Sequence, residues 1–217
     1  MGKVVAIDGP AGSGKGTVAK TLAKLCNLTY IDTGAMYRAI AYLSLKNNIN
    51  ITEEEKIVDM ARSSKIDFID GKTYLNGIDV NEDIRTMEVT RIVSPISSIV
   101  KLREILVDLQ RKMAEGKDVI MEGRDITTVV FPNADYKFYL DASVTERANR
   151  RFKENTLKGM NVSYEEILEN IKKRDYNDMH KEVGALTRTK DSIYIDSTNL
   201  TIDEVIDKMR KIIEEGL

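Results

Sequence analysis

The sequence predicts an α/β fold, a doubly wound five-stranded parallel sheet with helices on both faces. Three observations predict it. Short β-branched runs alternate with helical stretches, a glycine-rich loop containing a lysine joins the first run to the first helix, and only one segment interrupts the alternation. The runs are Val4–Ile7, Leu28–Ile31, Val119–Met121, Tyr136–Leu140 and Ser192–Ile195, each short and apolar enough for a strand buried on both faces. Four helix starts carry the capping-box pattern, at Thr52-x-x-Glu55, Ser143-x-x-Glu146, Ser163-x-x-Glu166 and Thr201-x-x-Glu204. The interruption is Ile66–Val80, where Asp70-Gly71 and Asn76-Gly77 are hairpin turn signals between short strand-like pieces, so a small antiparallel sheet is expected there.

Composition bounds the function. The 217 residues are 42% hydrophobic, enough for a sizeable core, and Lys plus Arg total 33 against 35 Asp plus Glu. That balance gives no electrostatic footprint for nucleic acid. No apolar run reaches a membrane span and the first residues lack a signal-peptide segment, so a cytoplasmic protein without a membrane partner is expected. One cysteine, Cys26, excludes an intrachain disulfide, and His180 stands alone, so neither points to a soft-metal cluster.

The strongest chemical signal is Gly9-Pro10-Ala11-Gly12-Ser13-Gly14-Lys15-Gly16-Thr17. It follows a strand and opens a helix whose apolar face runs through Val18, Leu22 and Leu25, the context of a phosphate-cradling P-loop. Backbone N–H groups and the helix N-terminus surround a phosphate there, and the Lys15 ammonium follows the outer phosphates. The expected ligand is ATP with Mg²⁺. Gly16 stands where the general pattern has Ser or Thr, and the hydroxyl follows at Thr17. This GKGT order is similar to nucleoside monophosphate kinases, which implies that Mg²⁺ meets Thr17 through water.

A second constellation, Asp32-Thr33-Gly34-Ala35-Met36-Tyr37-Arg38, places a polar loop at a strand's carboxyl end, where ligands of such sheets gather. Taken alone, Asp32 or Thr33 fits a helix cap and Arg38 a solvated charge. Arg147, Arg150 and Arg151 repeat at i, i+3 and i+4, an unfavourable grouping of like charges unless an anion is present, so they read as a phosphate clamp or as a solvated basic face. Arg174, Asp178 and Lys181 share one face of a predicted helix; unaided, they read as an exposed salt-bridge row.

The motifs IDGPAGSGKGT, DTGAMYR, DIRT, EGRD followed by VVFPNAD, LDAS before an arginine-rich helix, RDYND and a terminal DST, in this order over about residues 4–210, resemble the cytidylate kinase family. The resemblance implies transfer of a phosphoryl group from ATP to CMP and dCMP. It implies that Arg38 and Arg124 hold the acceptor phosphate, that Ser94, Arg103 and Asp125 face the cytosine edge, that Arg174 and Asp178 reach the ribose, and that Thr33, Tyr37 and Lys181 line the acceptor site. The family commonly has Arg at the place of Lys181 and Ser at that of Thr33. Catalysis is assigned to Lys15, Arg38, Arg124, Arg147 and Arg151, acting by positioning and charge stabilisation. The implied organisation is a discontinuous core of residues 1–32, 103–146 and 184–217, a nucleotide-binding insertion of residues 33–102, and a lid with an acceptor-contacting helix over residues 147–183. Asn155–Asn161 is expected as the mobile lid loop, and a monomer is expected. Two other readings share part of the pattern: a P-loop kinase for UMP, AMP or a hydroxylated acid, and a nucleotide-dependent switch, which the spread of arginines disfavours.

Overall fold

The computed structural model describes residues 2–157 and 159–216. Five strands, β1 (Val4–Asp8), β2 (Thr29–Asp32), β6 (Val119–Gly123), β7 (Tyr136–Asp141) and β8 (Ile193–Asp196), form one parallel sheet in the order β2-β6-β1-β7-β8. Side-chain alternation divides β1 between the two faces. Val5 and Ile7 pack with Val18, Leu22, Phe138 and Met209 under α1 (Lys15–Leu25) and α8 (Ile202–Glu215), whereas Val4 and Ala6 pack with Ile31, Val107 and Met121 under α5 (Val100–Ala114). Burying a side chain such as Ile7, Leu22 or Phe138 stabilises by about 1.5–3 kcal/mol.

The interrupting segment is a three-stranded antiparallel sheet of β3 (Ile66–Ile69), β4 (Lys72–Leu75) and β5 (Ile78–Asp79). Its two turns have positive φ at both central residues, 52° and 73° at Asp70-Gly71 and 51° and 80° at Asn76-Gly77, the geometry that matches strand twist in a two-residue hairpin. A third core cluster joins α2 (Thr33–Lys46), α3 (Glu54–Ser63), α4 (Met87–Ile96) and α5 through Met36, Ile40, Ile57, Ile84, Ile96 and Leu106. Two further helices, α6 (Val144–Leu157) and α7 (Tyr164–Met179), lie together, with Phe152 edge-on to Tyr164 at 6.1 Å.

Four local expectations change. Ser163 and Thr201 form complete capping boxes, but Thr52 does not cap α3. Asn50 Oδ1 takes both the N–H and the hydroxyl of Thr52, and the helix starts after Glu53. At α6, Ser143 Oγ accepts from Glu146 N at 3.2 Å, yet the return bond is absent, because Ser143 N donates to Thr198 Oγ1 and Glu146 pairs with Arg150. Within the expected loop Asn155–Asn161, residues up to Leu157 continue α6, and Lys158 lies outside the described residues. Finally, α7 ends at Met179 with His180 as its cap, so Lys181 follows the helix that carries Arg174 and Asp178.

Candidate active site

A cleft of about 640 Å³ opens at the carboxyl ends of β1, β2 and β6. The strand register sets its floor, because Asp8 pairs with Gly123 and Asp32 with Glu122, so three loop starts reach the same level. Cations outnumber carboxylates along its lining, as a site for polyanionic ligands requires.

The P-loop forms one wall. Gly9 has φ 153°, and a Cβ there would lie 2.0 Å from Leu140 O, so no side chain fits where the loop leaves β1. Gly16 answers a different constraint: its ideal Cβ would sit 3.1 Å from Glu122 Oε1, so the serine or threonine of the general motif would press on that carboxylate. Lys15 is folded against the loop, donating to Pro10 O at 2.8 Å and to Ser13 Oγ at 3.4 Å. Burial, reinforced by Arg124, pushes its ammonium down to about 7 against the pull of Glu122 and Asp8. Burial and Asp32 push Glu122 up, with Lys15 and Arg124 opposing. Asp8 is engaged elsewhere, accepting from Ile126 N, Thr127 N and Thr127 Oγ1 at the start of a π-helix (Ile126–Val130).

The opposite wall is built from the ends of β2 and β6 and from α2, α4, α5 and α7. Thr33 donates to Glu122 O at 2.8 Å, pinning the two strand ends together. Arg38 reaches Ile84 O at 3.2 Å and Thr90 Oγ1 at 3.0 Å, and burial with Arg85 and Arg151 lowers its guanidinium to about 10. Arg85 pairs in turn with Asp32 at 3.3 Å. Arg103 forms a buried ion pair with Asp125, and its guanidinium stands 5.5 Å from the Tyr37 ring centroid. Asp178 is the second hub, with Oδ2 at 2.8 Å from Arg124 Nε and 3.9 Å from Arg174 Nε, and Oδ1 at 3.2 Å from Lys181 Nζ. Burial pushes this carboxyl up, but Arg124, Lys181 and Arg174 outweigh it and hold it at about 2. Arg174 is lowered to about 9 by burial and by Arg124. Asp178 is buried and Arg124, Arg174 and Lys181 are partly buried around it in the cleft, so they are no exposed salt-bridge row.

The model of the cytidylate kinase family matches residues 5–215. The chain belongs to the cytidylate kinase family. A cytidylate kinase of Caldanaerobacter subterraneus subsp. tengcongensis is 52% identical over 98% of this chain and 95% of its own length. One of Alkaliphilus oremlandii is 49% identical over 97% of each chain. The crystal structure of an uncharacterized protein from Eubacterium ventriosum covers 99% of both chains with a TM-score of 0.54; at 15% identity this likeness bears on the fold alone.

Within this member of the cytidylate kinase family, the cleft brings together Ala11, Gly12, Gly14, Lys15, Gly16 and Thr17 of the P-loop. It also brings together Thr33, Tyr37, Arg38, Ser94, Arg103, Arg124, Asp125, Arg151, Arg174, Asp178 and Lys181. Gly9, Pro10 and Ser13 shape the P-loop from behind. Arg147 is the correction. It is 3% exposed, donates to Ala142 O at 2.9 Å and Ala11 O at 3.0 Å, and pairs with Asp175 at 2.6 Å, so each guanidinium nitrogen already has a partner and the side chain lies outside the lining. The cleft-facing arginines of α6 are Arg150 and Arg151. Sequence reasoning also passed over Glu122 and Ser97 as site residues. The position of Glu122 at the carboxyl end of a strand was a usable signal, whereas nothing in the sequence marked Ser97.

Proposed function

We propose that the chain catalyses in-line transfer of the γ-phosphoryl group of ATP to the phosphate of CMP and dCMP, giving ADP and the nucleoside diphosphate. The observation that carries this reading is two facing cationic sites in one cleft, Lys15 with the P-loop on one side and Arg38 with Arg124 on the other. Membership in a family of kinases named for cytidylate supports the acceptor.

The acceptor phosphate oxygen is already anionic, so no general base is required, and the protein contributes orientation and charge. Lys15 binds the migrating phosphoryl group, Arg38 and Arg124 fix the acceptor phosphate, and Arg150 and Arg151 approach from α6. Arg103 and Asp125 meet the cytosine edge beside Ser94, Tyr37 and Thr33, while Arg174, Asp178 and Lys181 meet the ribose. Asp125 accepts from the cytosine amine, whereas the uracil carbonyl would face it acceptor to acceptor.

The residues present fit Mg²⁺ carried in with ATP. Glu122 and Thr17 line the cleft together, and Mg²⁺ needs only one or two protein oxygens beside phosphates and retained waters. Bound there, the ion neutralises charge on the terminal phosphates. Asp8 is set apart, because it is fully buried, lies outside the lining and accepts from Ile126 and Thr127. The same reading divides the chain into a core of residues 1–32, 103–146 and 184–217, an acceptor-binding insertion of residues 33–102, and a lid region of residues 147–183 that excludes water. The protein acts as a cytoplasmic monomer, and no described helix is long and apolar enough to cross a membrane. Phosphorus NMR of a mixture of protein, ATP, Mg²⁺ and CMP tests the reading: CDP and ADP appear together, and ADP without CDP would contradict it.

A further inference from the structure

Ser97 sits at the carboxyl-terminal cap of α4, is 8% exposed, and lines the cleft. Three elements converge on it. Its hydroxyl donates to Ser94 O at 2.8 Å, which turns the oxygen lone pairs toward Lys181 Nζ at 2.9 Å. Its carbonyl accepts from Arg103 Nη1 at 3.0 Å. Beyond Lys181 the chain of contacts continues through Asp178 to Arg124. One small residue thus connects the groups that face the base with those that face the ribose and phosphate.

Lysine is a point charge on a flexible stem, so its direction is set by its partners rather than by its own shape. Among the described residues, the polar partners shown for the Lys181 ammonium are Asp178 Oδ1 and Ser97 Oγ, which lie on different elements. Asp178 alone would leave the ammonium free to swing about one contact, while the pair fixes it across the gap between α4 and the segment after α7.

We infer that Ser97 is a positioning residue for the acceptor nucleoside, orienting Lys181 and, through its carbonyl, Arg103; the inference rests on the acceptor reading above. The effect is local to the acceptor. Among the described residues, the hydrogen-bond partners of Ser97 are Ser94, Arg103 and Lys181, none of them in the P-loop, and Lys15 is held by Pro10 and Ser13.

Calorimetric titration of CMP and, separately, of Mg-ATP into the wild type, Ser97→Ala, Lys181→Met and the double variant tests it. Ser97→Ala should weaken CMP binding by roughly five- to ten-fold, the scale of a lost hydrogen bond to a charged group. ATP binding should not change. In the Lys181→Met background the same substitution should weaken CMP by less than about two-fold, because residues acting through one another are non-additive. Ser97→Thr, which keeps the hydroxyl, should bind CMP within about two-fold of wild type. An unchanged CMP affinity in Ser97→Ala, the same loss in both backgrounds, or an equal loss for CMP and ATP overturns the inference. A wild type that binds ATP but not CMP overturns the acceptor reading itself.

Discussion

Asp125 pairs with Arg103, 22 residues away along the chain, and not with its neighbour Arg124, which donates from Nε to Asp178 Oδ2 at 2.8 Å. Adjacent residues at the end of β6 therefore belong to two different networks. Asp125 is tied to α5 and Arg124 to α7.

Replacing Asp125 with Ala removes the partner of a buried guanidinium and, on the proposed reading, the acceptor for the cytosine amine. The CMP-to-UMP ratio of kcat/KM should narrow by about ten-fold or more, since each factor of ten corresponds to about 1.4 kcal/mol. Unfolding stability should fall by about 3–5 kcal/mol, because Arg103 stays buried with the Ser97 carbonyl but without its counter-charge. Equal loss of efficiency for both acceptors would make Asp125 a support for Arg103 alone.

Arg147 and Arg151 should separate cleanly. Arg147→Ala strands the Asp175 carboxylate and frees Ala11 O, so it should cost about 3–5 kcal/mol in denaturant unfolding. Among the described residues, Arg151 makes a surface pair with Glu154 at 3.2 Å, a type of contact worth about 0–1 kcal/mol. Arg151→Ala should therefore slow turnover with a nearly unchanged unfolding midpoint. The reverse pattern would restore Arg147 as a phosphate ligand.

Lys15 carries a testable proton. With its ammonium lowered to about 7 in the free protein, most of the population is neutral at pH 8, and a bound polyphosphate favours the charged form. ATP binding should take up a proton above about pH 7 and weaken as pH rises through that value. Calorimetry in buffers of different ionisation enthalpy reads this directly. Lys15→Met should abolish the uptake and lower kcat by about 10²–10³ while the circular dichroism spectrum stays native.

Asp178 sets an acid limit. Its carboxyl stands at about 2 in the folded protein against an ordinary 3.8, so the stability it contributes is present above about pH 4 and is lost as pH falls toward 2. Asp178→Asn should flatten the stability profile over that window. It should also lower stability at neutral pH, because Arg124 and Lys181 lose their shared partner.

Much of this arrangement is legible without coordinates, for physical reasons that differ by element. Strands buried on both faces need apolar middles, so β1, β6 and β7 announce themselves, and the left-handed angles at Asp70-Gly71 and Asn76-Gly77 admit few residue types. The P-loop is equally plain because glycine, lysine and helix start must coincide. Partner choice is harder to read. Helical spacing groups Arg147 with Arg150 and Arg151, but only the arrival of α7 with Asp175 decides that Arg147 turns inward. Thr52 lost its cap role to a competing side chain two residues earlier, Asn50. Lys181 stays with Asp178 although the helix that suggested the pairing ends before it.

Acceptor choice tests the central claim most directly. Initial rates of ADP release with Mg-ATP should be measured against CMP, dCMP, UMP, AMP and shikimate at equal concentration. CMP and dCMP should support rapid, stoichiometric turnover, with UMP lower by at least about ten-fold and with AMP and shikimate near background, on the scale of a lost hydrogen bond to a buried carboxylate. A rate with UMP, AMP or shikimate that equals or exceeds the CMP rate would contradict the assignment of Asp125 and its neighbours to the cytosine edge.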